Sequence, residues 1–428
     1  MKKNINIAII GLGNIGSYLY RYLKKNKISL TKKNNTIPNI LYVSAKNRNI
    51  KRSITIPKKM WLKNYIDSTT NKDIDVIIEL IGGAEGPAKK LVFAALRNGK
   101  HVVTANKALI AKYGDQLAKI AEKNNVNLEF EAAVCGGVPI VRSVKESLIA
   151  NTITKIYGIF NGTSNYILSC MEKDDLSFND ALLKAQKLGY AETNPLSDLN
   201  GEDVSSKLKI LSSLSFNTFI NNNVYVEGIN NIDQIDIKNA NKLGYKIKLL
   251  GISEINNKKL IQRVHPCLVK NTSYIGGING VLNAVIVNGD PVGENIIQGE
   301  GAGPGATTSA IVSDICSILR GNIKYPFSIS SNERMKIKSS SISSHIFSSY
   351  LRLDVSDKPG VLSDITKILS KNNVSIKRLI QNPFKSKKYS SIIIVTHKVK
   401  NAGLMSSISQ LSRKKFLIAT PKLIRIEF

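Results

Sequence analysis

The opening of the chain constrains the fold more than any other segment. Ile5 to Ile10 is a short apolar run rich in isoleucine, which suits a strand covered on both faces. Gly11-Leu12-Gly13-Asn14-Ile15-Gly16 follows at once, and from Ser17 to Lys24 the residues Leu19, Tyr20 and Leu23 recur at helical spacing. Strand, glycine turn and helix in direct succession is the context in which a G-x-G-x-x-G pattern holds a dinucleotide. The glycines permit a tight turn and let backbone approach a pyrophosphate, and the helix N-terminus offers that anion its unpaired N–H groups. Gly11, Gly13, Asn14, Ile15 and Gly16 are therefore expected at a cofactor.

Further strands are expected at Asn39–Ala45, Asp75–Leu80, His101–Thr104 and Asn127–Phe130, with helices at Pro87–Asn98 and Asp115–Asn124 between them. Such alternation predicts a parallel sheet with right-handed crossovers, an α/β domain of Rossmann type. From about Thr152 strand-like pieces (Ile153–Phe160, Asn223–Glu227, Lys246–Ile255, Leu260–Val269, Ala284–Asn288) separate longer helices, as in a second, α+β domain. Pro291 to Gly305 contains Gly293, Gly299, Gly301, Gly303 and Gly305 and reads as a loop, and Thr307–Arg320 as a helix. Ser328 to Ser344, heavy in serine and lysine, reads as a linker. The last eighty or so residues run strand, Asp357-Lys358-Pro359-Gly360 turn, helix, strand, strand, helix and strand, a ferredoxin-like order.

Two or three domains suit 428 residues, since one core usually serves about 100–200. The net charge of +30 raises the prospect of nucleic acid or an anionic membrane as partner. The lysines are scattered, however, and at 6% the aromatic residues offer few platforms for bases, so neither partner is expected. Cys135, Cys170, Cys267 and Cys316 lie far apart with no C-x-x-C, arguing for a reducing compartment and against structural zinc. His101, His265, His345 and His397 have no metal-ligand spacing. No apolar run reaches the roughly 18 residues of a membrane helix. Lys2-Lys3 and the run after them imitate a signal peptide, but glycines break the run and no A-x-A site follows. A cytoplasmic protein is expected.

The chemistry should gather at the carboxyl ends of the first sheet's strands. The second strand ends Ser44-Ala45 and continues Lys46-Asn47-Arg48, two cations where an NAD site usually has an acid. Lys46 and Arg48 would suit a 2′-phosphate, favouring NADP(H) while leaving NAD(H) open; solvated cations of a basic protein would look the same. Gly82 follows the strand that ends in Glu79, and Thr104-Ala105-Asn106-Lys107 ends the next, so Gly82, Thr104 and Lys107 are expected near the reacting end of the cofactor. Glu192, Asp198 and Asp203 then gather beside Lys207, with Asp203 and Lys207 four apart on one helical face. An exposed helical ion pair would give the same spacing. The alternative is a pocket for a small substrate that carries an ammonium group and an oxygen in need of a proton donor.

With these residues in view, the chain resembles bacterial homoserine dehydrogenases of the monofunctional kind with a C-terminal ACT domain. The carriers are the glycine turn, Ala105-Asn106-Lys107, Ala133-Val134-Cys135-Gly136-Gly137-Val138-Pro139-Ile140, Asn161-Gly162-Thr163-Ser164-Asn165-Tyr166-Ile167-Leu168, the acidic cluster, and Gly299 to Asp314. The resemblance implies a dinucleotide-binding domain over 1–145 completed by about 291–320, a substrate and dimerisation domain over 146–290, a linker over 321–347 and an ACT domain over 348–428. It implies reversible, NAD(P)H-dependent reduction of L-aspartate 4-semialdehyde to L-homoserine, on the way to threonine, methionine and isoleucine. Lys207 falls on the catalytic lysine, Lys107 on the cofactor-side lysine, and Glu192 and Asp203, with Asp198 near them, on the substrate-binding acids. A monovalent cation, usually sodium, would be held largely by backbone carbonyls at Glu131, Val134, Gly136 and Val138, and Gly303 would return to the nucleotide. Glu300, Pro304 and Gly305 depart from the more usual residues there. A homodimer or homotetramer and a threonine effector at the ACT domain are implied as well.

The expected reaction brings the aldehyde carbon about 3–3.5 Å from the nicotinamide C4. Lys107 and Lys207 stabilise the developing charge on oxygen and Lys207 delivers the proton. A carboxylate beside Lys207 favours its charged form, which suits reduction better than oxidation. Cys135 has no histidine nearby in sequence to activate it and reads as a small buried thiol rather than a nucleophile. A competing reading is an amino-acid sensor in which the ACT tail works and the dehydrogenase centre has decayed; Glu192, Asp203, Lys107 and Lys207 are all present and speak against it.

Overall fold

In the computed structural model, which describes residues 3–383 and 388–427, the first unit is built as β1 (Lys3–Ile10), α1 (Asn14–Asn34), β2 (Thr36–Ser44), β3 (Val76–Glu79), α2 (Pro87–Arg97), β4 (His101–Thr104), α3 (Lys107–Lys123) and β5 (Leu128–Glu129). Residues 1, 2 and 428, the outer ends of the first and last expected domains, lie outside the described residues. The five strands are parallel in the order β2-β1-β3-β4-β5. Ile7, Ala8 and Ile9 of β1 are fully buried, so successive residues on both faces of the strand are covered, as a continuous apolar run requires.

Helix α3 begins eight residues before the expected Asp115. The side chain of Asn106 caps it by accepting from the backbone N–H of Leu109 at 3.1 Å, and Leu109 and Ile110 share the buried face of Leu117 and Ala118. Gly114 disguises the helix in the sequence, because an interior glycine weakens a helical pattern. It is needed here: a Cβ would come within 2.9 Å of both Ile220 and Phe327.

The second unit comprises α4 (Ile140–Arg142), β6 (Thr152–Ile159), α5 (Gly162–Lys173), α6 (Phe178–Lys187), α7 (Leu196–Leu199), α8 (Glu202–Ser215), β7 (Tyr225–Val226), α9 (Gln234–Lys242), β8 (Tyr245–Asn256), β9 (Lys259–Lys270), α10 (Tyr274–Gly277), β10 (Leu282–Asp290) and β11 (Gly293–Glu300). The segment expected as a glycine loop is largely strand. β11 pairs antiparallel with β10 from Gly293 opposite Gly289 to Glu300 opposite Leu282, leaving Pro291-Val292 as the hairpin turn and Gly301 to Gly303 as irregular backbone. Glycine depresses strand propensity, and here pairing of this edge strand with β10 overrides it. Helix α11 (Pro304–Leu319) then returns to the first unit, where Ala310, Ile311 and Ile315 share a core with Ile7, Ile9 and Leu19.

The last unit runs β12 (Ile346–Ser356), α12 (Val361–Lys371), β13 (Ile376–Pro383), β14 (Tyr389–Thr396), β15 (Val399–Lys400), α13 (Asn401–Leu411) and β16 (Lys422–Ile426). It is not a separate bead. β16 pairs in parallel with β9, Arg425 opposite Cys267 and Ile426 opposite Leu268, so one sheet continues from the second unit into the third. The expected linker is tied down too: Leu260 donates to Lys338 O at 2.9 Å and Thr218 Oγ1 to Met335 O at 2.7 Å. No described helix is long and apolar enough to cross a membrane.

Candidate active site

The glycine turn is shaped by close contacts on one side and open space on the other. Gly11 has φ of +111°, and a Cβ there would meet Leu80 O at 2.4 Å; one on Gly16 would meet Gly11 O at 2.0 Å. A Cβ on Gly13 would meet nothing within 4 Å, and the first turn of α1 carries neither a side-chain cap nor an acid. That opening and the unpaired N–H groups beside it fit a dinucleotide phosphate. Gly303, with φ of +108° and equally open, begins α11 in the same way.

Behind the turn, β3 and β4 are braced by a residue the sequence reading passed over. Glu79 is fully buried and accepts from the N–H of Ile81 at 2.7 Å, the N–H of Gly82 at 2.9 Å and the hydroxyl of Thr104 at 2.5 Å. Thr104, expected at the cofactor, is thus committed behind the strand tip, and its Oγ1 also accepts from Asn106 N at 3.0 Å. Asn106 in turn donates to Gly83 O at 2.7 Å. The braces fix the start of α3 and with it Lys107. An acid ending an apolar strand three residues before a glycine pair was the available signal.

Lys46 and Arg48 lie on the exposed segment after β2, outside the cavity described next. Arg48 donates to Leu62 O and lies over the Trp61 ring at 5.6 Å. Arg52, which the sequence reading did not single out, ties this segment to the glycine turn by donating to Leu12 O at 3.0 Å and to Asn47 O at 2.6 Å.

A cavity of about 620 Å³ joins the turn to the acidic cluster, and Ile15, Lys107, Glu192, Asp198, Asp203, Lys207 and Gly303 all line it. Asp203 and Lys207 are indeed one turn apart on α8, but the pair is buried, not a solvated helical pair: the residues are 5% and 8% exposed. Asp203 Oδ2 lies 2.8 Å from Lys207 Nζ and Oδ1 lies 2.9 Å from Lys107 Nζ. Both oxygens are therefore occupied by the protein's own ammonium groups. Asp203 thus bridges the two lysines, and Glu192 and Asp198 line the same cavity. Lys207 also donates to Phe160 O at 2.6 Å, which leaves one of its three N–H groups for a ligand.

The electrostatics follow from this packing. Burial opposes charge on Lys207, but the Asp203 carboxylate outweighs it and holds the ammonium above the ordinary lysine value. Burial likewise opposes charge on Asp203, and Lys207 and Lys107 overcome it, so its carboxyl lies below the usual range. Asp198 is raised, by burial and by the Asp203 charge. Burial pushes the Cys135 thiol up to about 11, which agrees with an inert buried thiol.

Asn161 is the other residue the sequence reading left without a role. Its Oδ1 caps α5 by accepting from Ser164 N at 2.8 Å, and its Nδ2 donates to Asp198 Oδ1 at 2.7 Å and Asp203 Oδ2 at 2.9 Å. An asparagine just before a helical Gly-Thr-Ser was a readable cap signal.

Beside the cavity, Cys135 and Gly136 are consecutive left-handed residues, with φ of 56° and 46°. The carbonyls of Val134 and Gly136 are in buried residues and accept no hydrogen bond among the described residues. Such carbonyls fit a monovalent cation. Glu131 O already accepts from Val134 N at 3.2 Å and Val138 O from Ile140 N at 2.8 Å. The Glu131 carboxylate caps α4 through Val141 N at 2.9 Å and Arg142 N at 2.7 Å, so it is spoken for as well.

Comparison with known proteins bears on the whole chain. Residues 11–131 match the family model described as homoserine dehydrogenase, NAD binding domain, residues 139–316 that of homoserine dehydrogenase, and residues 349–412 that of the ACT domain. The homoserine dehydrogenase of Neisseria gonorrhoeae is 39% identical, covering 99% of both chains, and that of Helicobacter pylori 37% identical over 100% of both. The crystal structure of a homoserine dehydrogenase from Thiobacillus denitrificans superposes with a TM-score of 0.93 at 35% identity, covering 99% of this chain and 98% of that one. A nucleotide turn, a lysine–aspartate–lysine bridge and a C-terminal ACT unit in one chain, with relatives of this similarity along its full length, place the protein in the homoserine dehydrogenase family.

Proposed function

We propose that this oxidoreductase reduces L-aspartate 4-semialdehyde to L-homoserine, reversibly, with Lys207 as the proton donor. The observation that carries the reading is the Lys107–Asp203–Lys207 bridge at 2.9 and 2.8 Å inside the cavity that opens on the glycine turn. The nicotinamide supplies the hydride when bound. Lys207 gives its free N–H proton to the aldehyde oxygen, and Lys107 lowers the energy of the charge that develops there. Glu192 and Asp198 hold the substrate ammonium. The raised Lys207 keeps its proton at neutral pH, so the reductive direction is favoured.

NADP(H) is the preferred cofactor in this reading, with Lys46 and Arg48 as the cations for the 2′-phosphate and NAD(H) as a weaker alternative. Arg48 spends one N–H on Leu62 O, and a guanidinium has five to offer. Changing both to alanine should weaken NADPH about tenfold or more, as loss of charge-assisted contacts does, and leave NADH within about twofold. Equal losses for the two nucleotides would remove the assignment.

Sodium is the cation proposed at the Val134 and Gly136 carbonyls, with Glu131 and Val138 at its margins. A cation at about 100 times its dissociation constant stabilises the folded chain by about 2.7 kcal/mol. The melting temperature should therefore be higher in sodium chloride than in tetramethylammonium chloride of equal ionic strength. Identical melting curves would refute the site.

Threonine is the proposed effector at the ACT unit. Arg425 in β16 binds Glu227 at 3.0 Å, and the next residues lead to Ile229 N donating to Leu199 O at 2.8 Å, beside Asp198. A homodimer or homotetramer fits the strands β11 and β13 at the two ends of the long sheet, whose edges are open to pairing. Assay of semialdehyde reduction with each nucleotide, with and without threonine, on a preparation sized by sedimentation, tests these points together. No turnover with either nucleotide would sink the whole reading.

A further inference from the structure

Two carboxylates in one partly buried site repel, and something must make their proximity tolerable. Here Asp198 and Asp203 both turn to the amide of Asn161, which is 4% exposed. The amide orientation is fixed independently: its oxygen accepts from Ser164 N at 2.8 Å as the cap of α5, so its two N–H groups must face the acids. All three hydrogen-bonding positions that the cap and the acids require are thereby used.

We propose that Asn161 is a positioning residue for the reduction: one amide holds Asp198 and Asp203 as an adjacent pair and so sets Asp203 between Lys107 and Lys207. The proposal rests on the dehydrogenase reading above, and adds a residue of the cavity wall that acts through the two acids. Without the amide, Asp203 keeps its lysines but loses the lateral contact that fixes its plane. The groups facing Asp198 are Asp203, Lys207, Lys107 and Asn161 itself. Donation from Asn161 favours the charged form of Asp198, so its removal moves that carboxyl further upward. A protonated Asp198 no longer attracts a substrate ammonium.

The test separates capping from positioning. Serine caps helices about as well as asparagine, so Asn161→Ser keeps the start of α5 but cannot donate to two carboxylates while capping. Its melting temperature should stay close to that of the parent, and the dissociation constant for NADPH should not change. Its kcat/KM for semialdehyde should fall about tenfold or more at neutral pH, with the acid limb displaced toward higher pH. Asn161→Asp, which adds a third carboxylate, should lose about tenfold more than Asn161→Ser. Adding Asp198→Asn to Asn161→Asp exchanges amide and acid across the same contact; because it also removes a substrate-binding acid it is read by melting temperature, which should recover toward that of the parent.

A folded Asn161→Ser enzyme with an unchanged pH profile and kcat/KM within about twofold of the parent would overturn the proposal. So would a double variant that melts no higher than Asn161→Asp alone, a comparison that holds even if the serine variant fails to fold. If the parent itself reduces no semialdehyde, the dehydrogenase reading fails instead, and the two failures are distinguishable.

Discussion

Replacement of Lys207 by alanine is expected to lower kcat by about a thousandfold, within the range of about 10²–10⁴ that a positioned general acid contributes. The expectation rests on three features. Lys207 lines the cavity, Asp203 at 2.8 Å keeps it charged, and two of its N–H groups are already engaged, on Asp203 and on Phe160 O. The remaining proton is therefore the one available to the reacting oxygen. Lys107, 2.9 Å from Asp203, stays to neutralise the carboxylate in the variant, so the fold should survive. Nucleotide affinity, measured by fluorescence titration, should change little because the glycine turn and the start of α11 are untouched. A variant that turns over at nearly the parental rate would show that the proton comes from elsewhere.

Asp203→Asn should be damaging in two ways at once. It leaves Lys107 and Lys207 without their shared counter-ion, and Lys207 in a residue only 8% exposed. Breaking a buried ion pair from one side costs about 3–5 kcal/mol, which urea unfolding would register. The rate should fall as well, by about a hundredfold or more, since one ammonium group meets an amide NH2 in place of the oxygen that aims it and both lose the negative charge. The pH dependence has a definite sign. The Asp203 carboxyl is depressed in the folded chain, so its contribution is present above the unfolded value of about 3.9 and is lost as pH falls from there through the folded value. The asparagine variant has no such contribution to lose. The stability gap between parent and variant should thus close on acidification. A gap that is small at neutral pH, or constant to low pH, would mean that the bridge does not stabilise the fold.

Local pattern made much of this protein legible. The run from Ile5 to Ile10 and the glycines after it specified β1, the turn and α1, because strand burial and turn geometry are decided within about twenty residues. The four-residue spacing of Asp203 and Lys207 placed them on one helical face. The same spacing could not tell a solvated pair from a buried one; that depends on Phe160 and Lys107, about 47 and 100 residues away in the chain, closing over it.

Elsewhere the sequence pointed the wrong way for physical reasons. Gly293 to Glu300 carries glycines that lower strand propensity, and only pairing with β10 makes it a strand. Gly114 hid the first half of α3 because its purpose is contact with Ile220 and Phe327, which no local window contains. Asn161 looked like a cap and is one, but its second task exists only because α7 and α8 bring two acids to it. The sequence by itself thus determined β1, the nucleotide turn, α1 and the placing of Asp203 and Lys207 on one helical face. Tertiary structure alone decided which charges are buried together, which oxygens remain open to a ligand, and that the last unit shares a sheet with the second, because these depend on contacts between segments far apart in the chain.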